Sequence, residues 1–473
     1  MDKLFIKKIT KCIAVLVLSA VMLAACGNED MPDYEIITIN GWFCRDSHRF
    51  LREQVDAFNL QSSTHQIHVI DYDFWESLDG SPLQDVRFMI DMMTGNAPDI
   101  IFGPYQSFSD VVEKGLIIDL YPLIDTDPAL CRTDFFPNIL GVMEAPDGTL
   151  PAISYTFSIN TFIGLPDVVG GIESWTVAEM LALIEQTEGT DIEVFSGAWM
   201  TAEMLLNLSM GYGQDYIDWQ ENKANLDSEE FIQLLEISSR FPNDSNPWYW
   251  DGETSQAMRM LRGEQLLTHA HLFEISNYQM YTDVLGDDII ALGIPTKCGG
   301  AHVVYIGNGF AVSANSPHKD AAWDFIRQFL QPDLDIDHMW SFPLRMDIFE
   351  RMIEEAKIPN KVLDVDSDEF KAYVDDGRFP YRILSTDNSK VEIALSAGMM
   401  DGDLTYGIYA LTETEERNLR AILENASIPS YTDLTVMNIV REETPRFFTG
   451  ERSAADTARV MQNRIQTYLN ERR

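Results

Sequence analysis

Strand and helix patterns alternate along the first part of this chain, between residues 35 and 104. The stretch EIITIN reads as a strand, and Leu51, Val55 and Phe58 then fall on one face of a helix. HQIHVI reads as a second strand, a second apolar helical pattern stops at Gly95, and PDIIF reads as a third strand. This order predicts a parallel sheet covered by helices, with ligands bound at the carboxyl ends of its strands.

Several polar residues are interpreted as structural. Ser316 and Pro317 precede an apolar helical stripe, so we expect Ser316 to cap that helix. Ser453 and Asp456 have the spacing of a capping pair in front of a C-terminal helix. Asp99, at the start of the third strand, is expected to bond to a neighbouring turn.

The N-terminus has the pattern of a secretory signal. A basic region with four lysines is followed by an uncharged run from Cys12 to Ala25, too short for a membrane-spanning helix. The sequence Leu23-Ala24-Ala25-Cys26 resembles a bacterial lipobox, in which the cysteine is diacylated and becomes the new N-terminus. We therefore predict a signal peptide over residues 1–25, a lipid anchor at Cys26 and a polar tether over 26–33. An ordinary signal peptide with a chance cysteine is the alternative.

The net charge excludes some partners. The formal charge of the 473 residues is −41, and it falls to −44 without the signal, which carries four lysines and one aspartate. Such a field repels nucleic acid and anionic lipid, so we expect no nucleic-acid partner and a membrane contact made only through the lipid on Cys26. The remaining length suits two or three domains.

Three cysteines remain in the chain after the signal and the anchor: Cys44, Cys131 and Cys298. An odd and widely spaced set is a poor disulfide framework and lacks the close pairs of a zinc site. We interpret all three as small core residues, and we expect neither a cofactor nor a metal.

Several motifs occur in one order along the chain: the lipobox, GNAPDIIF, GLIIDLYPLID, DGTLPAISYTF, SWTVAEMLALI, GNGFAVSANSPHKDAAWDFIRQFL and FFTGERSAADTARVMQNRIQTYLNE. In this order the sequence resembles extracellular solute-binding protein family 1, the lipid-anchored binding proteins of ABC importers, chiefly those for sugars. The resemblance covers nearly the whole chain after the signal.

The resemblance implies an α/β fold of two lobes, the type II periplasmic-binding-protein-like fold, with a ligand cleft between hinged lobes. It places the first lobe at residues 34–150 plus 292–345 and the second at 151–291 plus 346–473. It also implies a monomer on the outer face of the bacterial cell membrane that captures a carbohydrate and passes it to the membrane subunits of the importer.

A carbohydrate presents flat C–H faces and a rim of hydroxyls, so its site needs aromatic platforms and planar polar groups. Residues of these types lie at predicted strand ends and in the family's cleft segments. The predicted ligand-binding residues are Trp42, Phe43, Asp71, Tyr105, Gln106, Tyr155, Phe157, Trp199, Trp250, His271, Tyr305, Asn308 and Arg345.

Some of these residues have structural alternatives. Trp42 is as well suited to the core as to a ligand, and Arg345 suits a salt bridge near the hinge. His269 and His271 lie two apart on one face of a strand, but no third metal ligand is close to them in sequence. We therefore expect a ligand or pH-sensitive contact there, or ordinary polar residues, in preference to a metal site.

Other functional classes are a surface enzyme acting on polysaccharide, a binding protein for a non-sugar solute, and a structural or partner-binding lipoprotein. An enzyme of that kind needs two carboxylates beside the scissile bond, which 75 acidic residues leave open. The sequence contains no H-E-x-x-H, no G-x-S-x-G and no P-loop motif. We expect a binding protein and no enzymatic activity.

Overall fold

The structure is a computed structural model. It describes residues 34–40, 49–70, 86–172, 175–196, 200–210, 215–242, 256–334, 341–358, 362–364, 367–368, 371, 383–387, 390–393, 397–399, 405–430 and 433–471. Among these residues no helix combines the length and the apolar character needed to cross a membrane.

Within the described ranges the strands are β1 (Glu35–Asn40), β2 (His65–Ile70), β3 (Ile100–Pro104), β4 (Thr156–Gly164), β5 (Ile217–Asp218), β6 (Lys223–Ala224), β7 (Leu267–Leu272), β8 (Ile290–Ala291), β9 (Ile294–Thr296), β10 (Gly299–Tyr305), β11 (Asn308–Val312), β12 (Phe342–Pro343), β13 (Val362–Asp364), β14 (Ile383–Asp387), β15 (Lys390–Ile393), β16 (Ala397–Met399), β17 (Thr405–Gly407) and β18 (Ala426–Pro429).

The α-helices in the same ranges are α1 (Arg49–Gln61), α2 (Val86–Thr94), α3 (Ser109–Glu113), α4 (Tyr121–Thr126), α5 (Pro137–Met143), α6 (Pro166–Val169), α7 (Val177–Gln186), α8 (Ala202–Ser209), α9 (Glu229–Ser238), α10 (Gln256–Leu261), α11 (Ile275–Leu285), α12 (Lys319–Ile326), α13 (Met346–Ala356), α14 (Glu413–Glu424), α15 (Leu434–Phe448) and α16 (Ala454–Glu471). Short 3₁₀ helices cover Tyr105–Phe108, Arg132–Asp134 and Arg327–Leu330.

The first lobe is built on a smaller sheet with the strand order β11-β3-β1-β2. β1 lies parallel to both β2 and β3, and β11 is antiparallel to β3. The apolar face of α1 is buried, with Leu51, Val55 and Phe58 each less than 9% exposed. The strand and helix alternation predicted from the sequence is confirmed for this sheet.

The second lobe is built on a larger sheet with the strand order β12-β4-β10-β18. β7 and β8 also pair with β4, and β9 pairs with β10. β4 is therefore its central strand, with antiparallel partners on both sides.

Each face of the larger sheet packs into a different core. On one face Phe162, Leu267 and Val303 are fully buried with residues of α7, α8, α9, α15 and α16. On the other face Ile159 and Val304 belong to the core that continues into the first lobe. The last two helices of the chain thus complete a core that begins near residue 162.

Three chain segments link the two sheets within the described part of the chain: 153–156, 305–308 and 341–345. They lie side by side, because Tyr305 pairs with Ser158, Phe342 pairs with Phe157 and the backbone N–H of Leu344 donates to the carbonyl of Tyr155 at 2.8 Å. We call them the hinge segments.

The second hinge segment bears on the lobe boundaries. β9 and β10 pair within the larger sheet, and the chain enters the smaller sheet only at β11. The sequence prediction placed residues 292–345 with the first lobe. We propose instead a boundary near Ile306, between β10 and β11.

Several predicted structural residues have the expected roles. Asp99 accepts hydrogen bonds from the backbone N–H and hydroxyl of Thr38, at 2.8 and 2.7 Å, and from the hydroxyl of Ser316 at 2.6 Å. Gly95 follows α2 with a φ of 82°, and the hydroxyl of Ser453 accepts the backbone N–H of Asp456 at 3.1 Å.

Two structural expectations were wrong. Ser316 does not cap α12, because the helix starts only after His318; the Ser316 hydroxyl donates to Asp99 at 2.6 Å and accepts the backbone N–H of His318 at 3.0 Å. Cys131 and Cys298 are exposed and not core residues, since Cys131 directly precedes the 3₁₀ helix Arg132–Asp134 and Cys298 lies in the turn between β9 and β10. Cys44 lies outside the described residues.

Candidate functional site

The larger sheet presents a row of polar and aromatic side chains next to the hinge segments. Residues directly opposite each other in antiparallel strands share a face of the sheet, as do residues two apart in one strand. Ser158 pairs with Tyr305 across β4 and β10, and Asn160 pairs with His271 across β4 and β7. These four side chains therefore lie on one face, which we call the hinge face.

The hinge face emerges from a buried core. Phe162 and Leu267, farther along the same strands, are fully buried under the second-lobe helices. Nearer the hinge segments Tyr305 is 42% exposed and His271 is also exposed, whereas Asn160 is half-buried and Ser158 is buried beneath them. The hinge face therefore offers His271, Tyr305 and part of Asn160 to solvent, close to the junction of the lobes.

His271 makes the central contacts of the hinge face. Its Nε2 atom lies 2.7 Å from the hydroxyl oxygen of Ser158, which fixes the orientation of the ring. The imidazole and the ring of Tyr305 have centroids 5.9 Å apart and stand edge to face at 77°, and Phe273 packs on the imidazole at 5.6 Å. The result is an aromatic surface with polar atoms at its edge.

His269 lies deeper on the same face, where its ring contacts Phe162 at 5.7 Å. Burial, together with the neighbouring His271, lowers the pKa of His269 to about 4, and burial also lowers the pKa of His271. Both rings are therefore neutral at pH 7. The Nε2 of His269 is buried and has no hydrogen-bond partner among the residues that the structure describes.

Tyr155 and Asn308 lie on the hinge segments themselves. Tyr155 is half-buried against Phe329 and Phe310, with ring centroids 5.2 and 6.4 Å away, and burial raises its pKa to about 12. Asn308 is half-buried at the first position of β11, where it pairs with Pro104.

Three other predicted site residues are buried with partners inside the protein. The hydroxyl of Tyr105 donates to the carbonyls of Met143 and Ala152 at 2.7 and 3.2 Å, and Phe157 is only 1% exposed. Arg345 is 6% exposed and binds both carboxylate oxygens of Asp347, at 2.8 and 2.6 Å. We leave these three out of the proposed site, because their side chains offer little surface to a ligand.

Other predictions fall on parts of the chain that the structure does not describe: Trp42, Phe43, Asp71, Trp199, Trp250, the side chain of Gln106 and the anchor Cys26.

Sequence reasoning missed Ser158 and Asn160. The sequence signal for them is the motif SIN, in which two polar residues lie two apart within an otherwise apolar strand. Residues two apart share a face of the strand, so this pattern indicates that one face is open. No described histidine, cysteine or carboxylate lies close enough to His269 and His271 to complete a group of three metal ligands.

The sequence and the fold were compared with known proteins. A family model described as bacterial extracellular solute-binding protein matches residues 87–341, which is more than half of the chain. None of the curated proteins matches the sequence.

Solved structures resemble this one over nearly their whole length. The sugar-binding protein MalE from Xanthomonas citri has a TM-score of 0.56 at 13% identity, with 93% of this chain and 98% of that chain covered. The ABC substrate-binding protein Lmo0181 from Listeria monocytogenes, solved in complex with cycloalternan, has a TM-score of 0.50 at 15% identity, with 93% and 100% covered. The cyclic alpha-maltosyl-1,6-maltose binding protein from Arthrobacter globiformis has a TM-score of 0.50 at 14% identity, with the same coverage.

At these identities the structural likeness bears on the fold alone, and it confirms the predicted two-lobed periplasmic-binding-protein-like fold. The family match covers most of the first lobe and reaches across β4 and β10 into the second. The chain belongs to the bacterial extracellular solute-binding protein family.

Proposed function

We propose that this protein is a lipid-anchored receptor that captures a sugar or an oligosaccharide outside the cell and delivers it to an ABC importer. Family membership supports a solute-binding role without catalysis. Similar folds solved as a sugar-binding protein and as a cycloalternan complex support a carbohydrate ligand.

The observation that carries the proposal is the hinge face. The ring of Tyr305 is 42% exposed beside His271, so it offers an apolar platform to the C–H face of a sugar. The Asn160 amide and the imidazole can donate or accept hydrogen bonds, whereas the buried Ser158 hydroxyl orients the imidazole. Burial lowers the pKa of His271 and so favours its neutral form, and the side chains of Ser158 and Asn160 carry no charge, which suits a neutral polyhydroxylated solute.

The hinge segments support capture by closure of the lobes. Ligand contacts on the hinge face lie within a few residues of the segments that a lobe rotation would bend. Ligand bound there would contact both lobes, with Tyr155 and Asn308 approaching from the hinge.

The anchor belongs to the same proposal. The lipobox ending at Cys26 would hold the receptor at the outer face of the membrane beside the importer. Two acyl chains are needed for stable attachment, because each buried methylene contributes only about 0.8 kcal/mol. Cys26→Ala is expected to abolish palmitate labelling and to release the protein from the membrane fraction, and membrane retention of Cys26→Ala would refute the anchor.

The first test is thermal melting of the purified protein against a panel of mono- and oligosaccharides. A ligand that binds only the native state stabilises it by about 2.7 kcal/mol at one hundred times its dissociation constant, which a melt detects readily. Chromatography of the sugar after incubation completes the test.

A selective rise in Tm with the sugar recovered intact supports the receptor. A rise accompanied by cleaved sugar contradicts it in favour of an enzyme. No rise with any sugar, followed by a rise with another class of small solute, contradicts the carbohydrate assignment while leaving a binding protein.

A further inference from the structure

Three potential metal ligands meet on the first lobe, away from the hinge face. Glu35 is the first residue of β1, His65 is the first residue of β2, and His318 directly precedes α12. Glu35 and His65 are register partners in the parallel pair. The three side chains come together at the amino ends of the strands, whereas ligands of such sheets bind at the carboxyl ends.

The distances between these side chains match the spacing of metal ligands. Oε2 of Glu35 lies 3.3 Å from Nε2 of His65 and 3.5 Å from Nδ1 of His318, and one ligand atom from each residue lies within 4.8 Å of the others. Zinc binds such atoms at about 2.0 to 2.1 Å in a tetrahedron, whose ligands are then about 3.3 to 3.4 Å apart. The edge from Glu35 to His65 has that length, and the edge from Glu35 to His318 is slightly longer.

Direct hydrogen bonding explains these distances less well. A charge-assisted N–H···O bond is normally about 2.7 to 2.9 Å long, and both contacts of Glu35 are longer. The Nδ1 of His65 lies 2.8 Å from the hydroxyl of Thr64. That contact orients the ring so that Nε2 faces Glu35, as an outer-shell partner does for a metal-bound histidine.

The three side chains are accessible to an ion from solution. The side chains of His65 and His318 are each 25% exposed, and that of Glu35 is 66% exposed. Two imidazoles and one carboxylate form a donor set that zinc prefers, with the remaining position filled by water.

We propose that Glu35, His65 and His318 form a binding site for a divalent transition metal, with zinc as the ion that best suits the donors. Such an ion would join β1, β2 and the start of α12, and so fix the first strand of the fold. Glu35 is the ninth residue after Cys26, so the bound ion would lie where the tether enters the folded lobe.

The experiment is calorimetric titration of the chelator-treated full-length protein with zinc, repeated with cobalt to record its visible absorption. We expect a saturable one-to-one isotherm, a higher Tm with zinc and a cobalt spectrum typical of a tetrahedral site. His65→Gln, His318→Gln and Glu35→Gln are each expected to weaken binding at least about tenfold, and Thr64→Val to weaken it by about tenfold through its effect on the ring.

Two variants serve as matched controls. His68→Ala removes an exposed histidine three residues along β2, on the opposite face from His65, and His271→Ala removes the exposed histidine of the hinge face. Circular dichroism confirms that each variant is folded. Unchanged binding in the three ligand variants, loss of binding in either control, or no one-to-one isotherm would overturn the proposal.

Discussion

The hydroxyl oxygen of Ser158 lies 2.7 Å from Nε2 of His271, so a side-chain hydrogen bond joins β4 to β7 on the hinge face. This bond leaves Nδ1 of the imidazole directed away from Ser158. It holds the ring against Tyr305 and Phe273 in one orientation before any ligand arrives. Preorganisation of this kind lowers the entropy lost when a ligand binds.

Tyr305→Ala is expected to weaken sugar binding about fivefold to tenfold, because an aromatic contact adds on the order of 1 kcal/mol beyond simple burial. The Tm should change little, since the side chain is 42% exposed. Tyr305→Phe keeps the ring and should retain most of the affinity. Calorimetric titration with the sugar identified in the melting panel measures both variants, and wild-type affinity in Tyr305→Ala would contradict the platform role.

Ser158→Ala tests the orientation of His271 separately from its presence. Without the hydroxyl the imidazole is free to rotate, so we expect weaker sugar binding than in the wild type but stronger binding than in His271→Ala. His68→Ala, an exposed histidine on the smaller sheet, is the control and should bind normally. Equal affinities in Ser158→Ala and wild type would show that the hydrogen bond is not needed for binding.

We expect the free energy of unfolding to decrease in mild acid because of the buried residue His302. Burial lowers the pKa of His302 to about 4, below the ordinary value of 6.5, while its Nδ1 lies 3.0 Å from the hydroxyl of Thr161. Between those two pH values the imidazole binds a proton in the unfolded chain but not in the folded chain. The contribution of neutral His302 to the free energy of unfolding is therefore complete above pH 6.5 and is lost as the pH decreases toward 4. At 1.36 kcal/mol for each pH unit, the contribution is on the order of 3 kcal/mol.

His302→Gln isolates this effect from other acid-sensitive groups. The free energy of unfolding, measured by urea at pH 7.5 and at pH 4.5, should depend less on pH in the variant than in the wild type. The same pH dependence in both proteins would rule out His302 as a source of the acid sensitivity.

Arg327→Met should destabilise the first lobe strongly. The Asp127 carboxylate is 2% exposed, and Arg327 binds it through Nε and Nη2 at 2.6 and 2.7 Å, with Trp323 donating to it at 3.0 Å. Removal of the guanidinium leaves a buried carboxylate without its arginine partner, which typically costs about 3 to 5 kcal/mol.

The control is Arg459→Met, which breaks an ion pair on α16 whose arginine side chain is 67% exposed. That change should alter the free energy of unfolding by less than about 0.5 kcal/mol. Similar decreases in the free energy of unfolding for Arg327→Met and Arg459→Met would show that burial does not determine the strength of these ion pairs.

Local sequence patterns predicted local structure well in this protein. The alternation from EIITIN to PDIIF correctly predicted the parallel strands β1, β2 and β3, and the cap at Gly95 and the pair Ser453 and Asp456 have their expected geometry. Ser316 was misread because α12 starts after His318 and not after Ser316. Helix-cap patterns also contain no information about distant partners such as Asp99, to which the Ser316 hydroxyl donates.

The two candidate sites depend on pairings between strands that cannot be read from a single sequence. Ser158, His271 and Tyr305 come from three strands, and only the register of β4 with β7 and β10 brings them to one face. His65 and His318 likewise meet through the parallel pairing of β1 with β2 and the position of α12. The alternation within a strand shows which side chains share a face of that strand. It does not show which other strand lies beside it.

The core shared by Phe162 and α16 has a consequence for how the protein is made. Residues from 162 to 240 emerge early during synthesis, but the helices that cover them end near Leu469. That core cannot close until the chain has been synthesised to about Leu469, so its early strands and helices are made long before the helices that cover them. Delayed closure of this kind would suit the proposed export of the chain, because an unclosed core is easier to pass through a narrow channel.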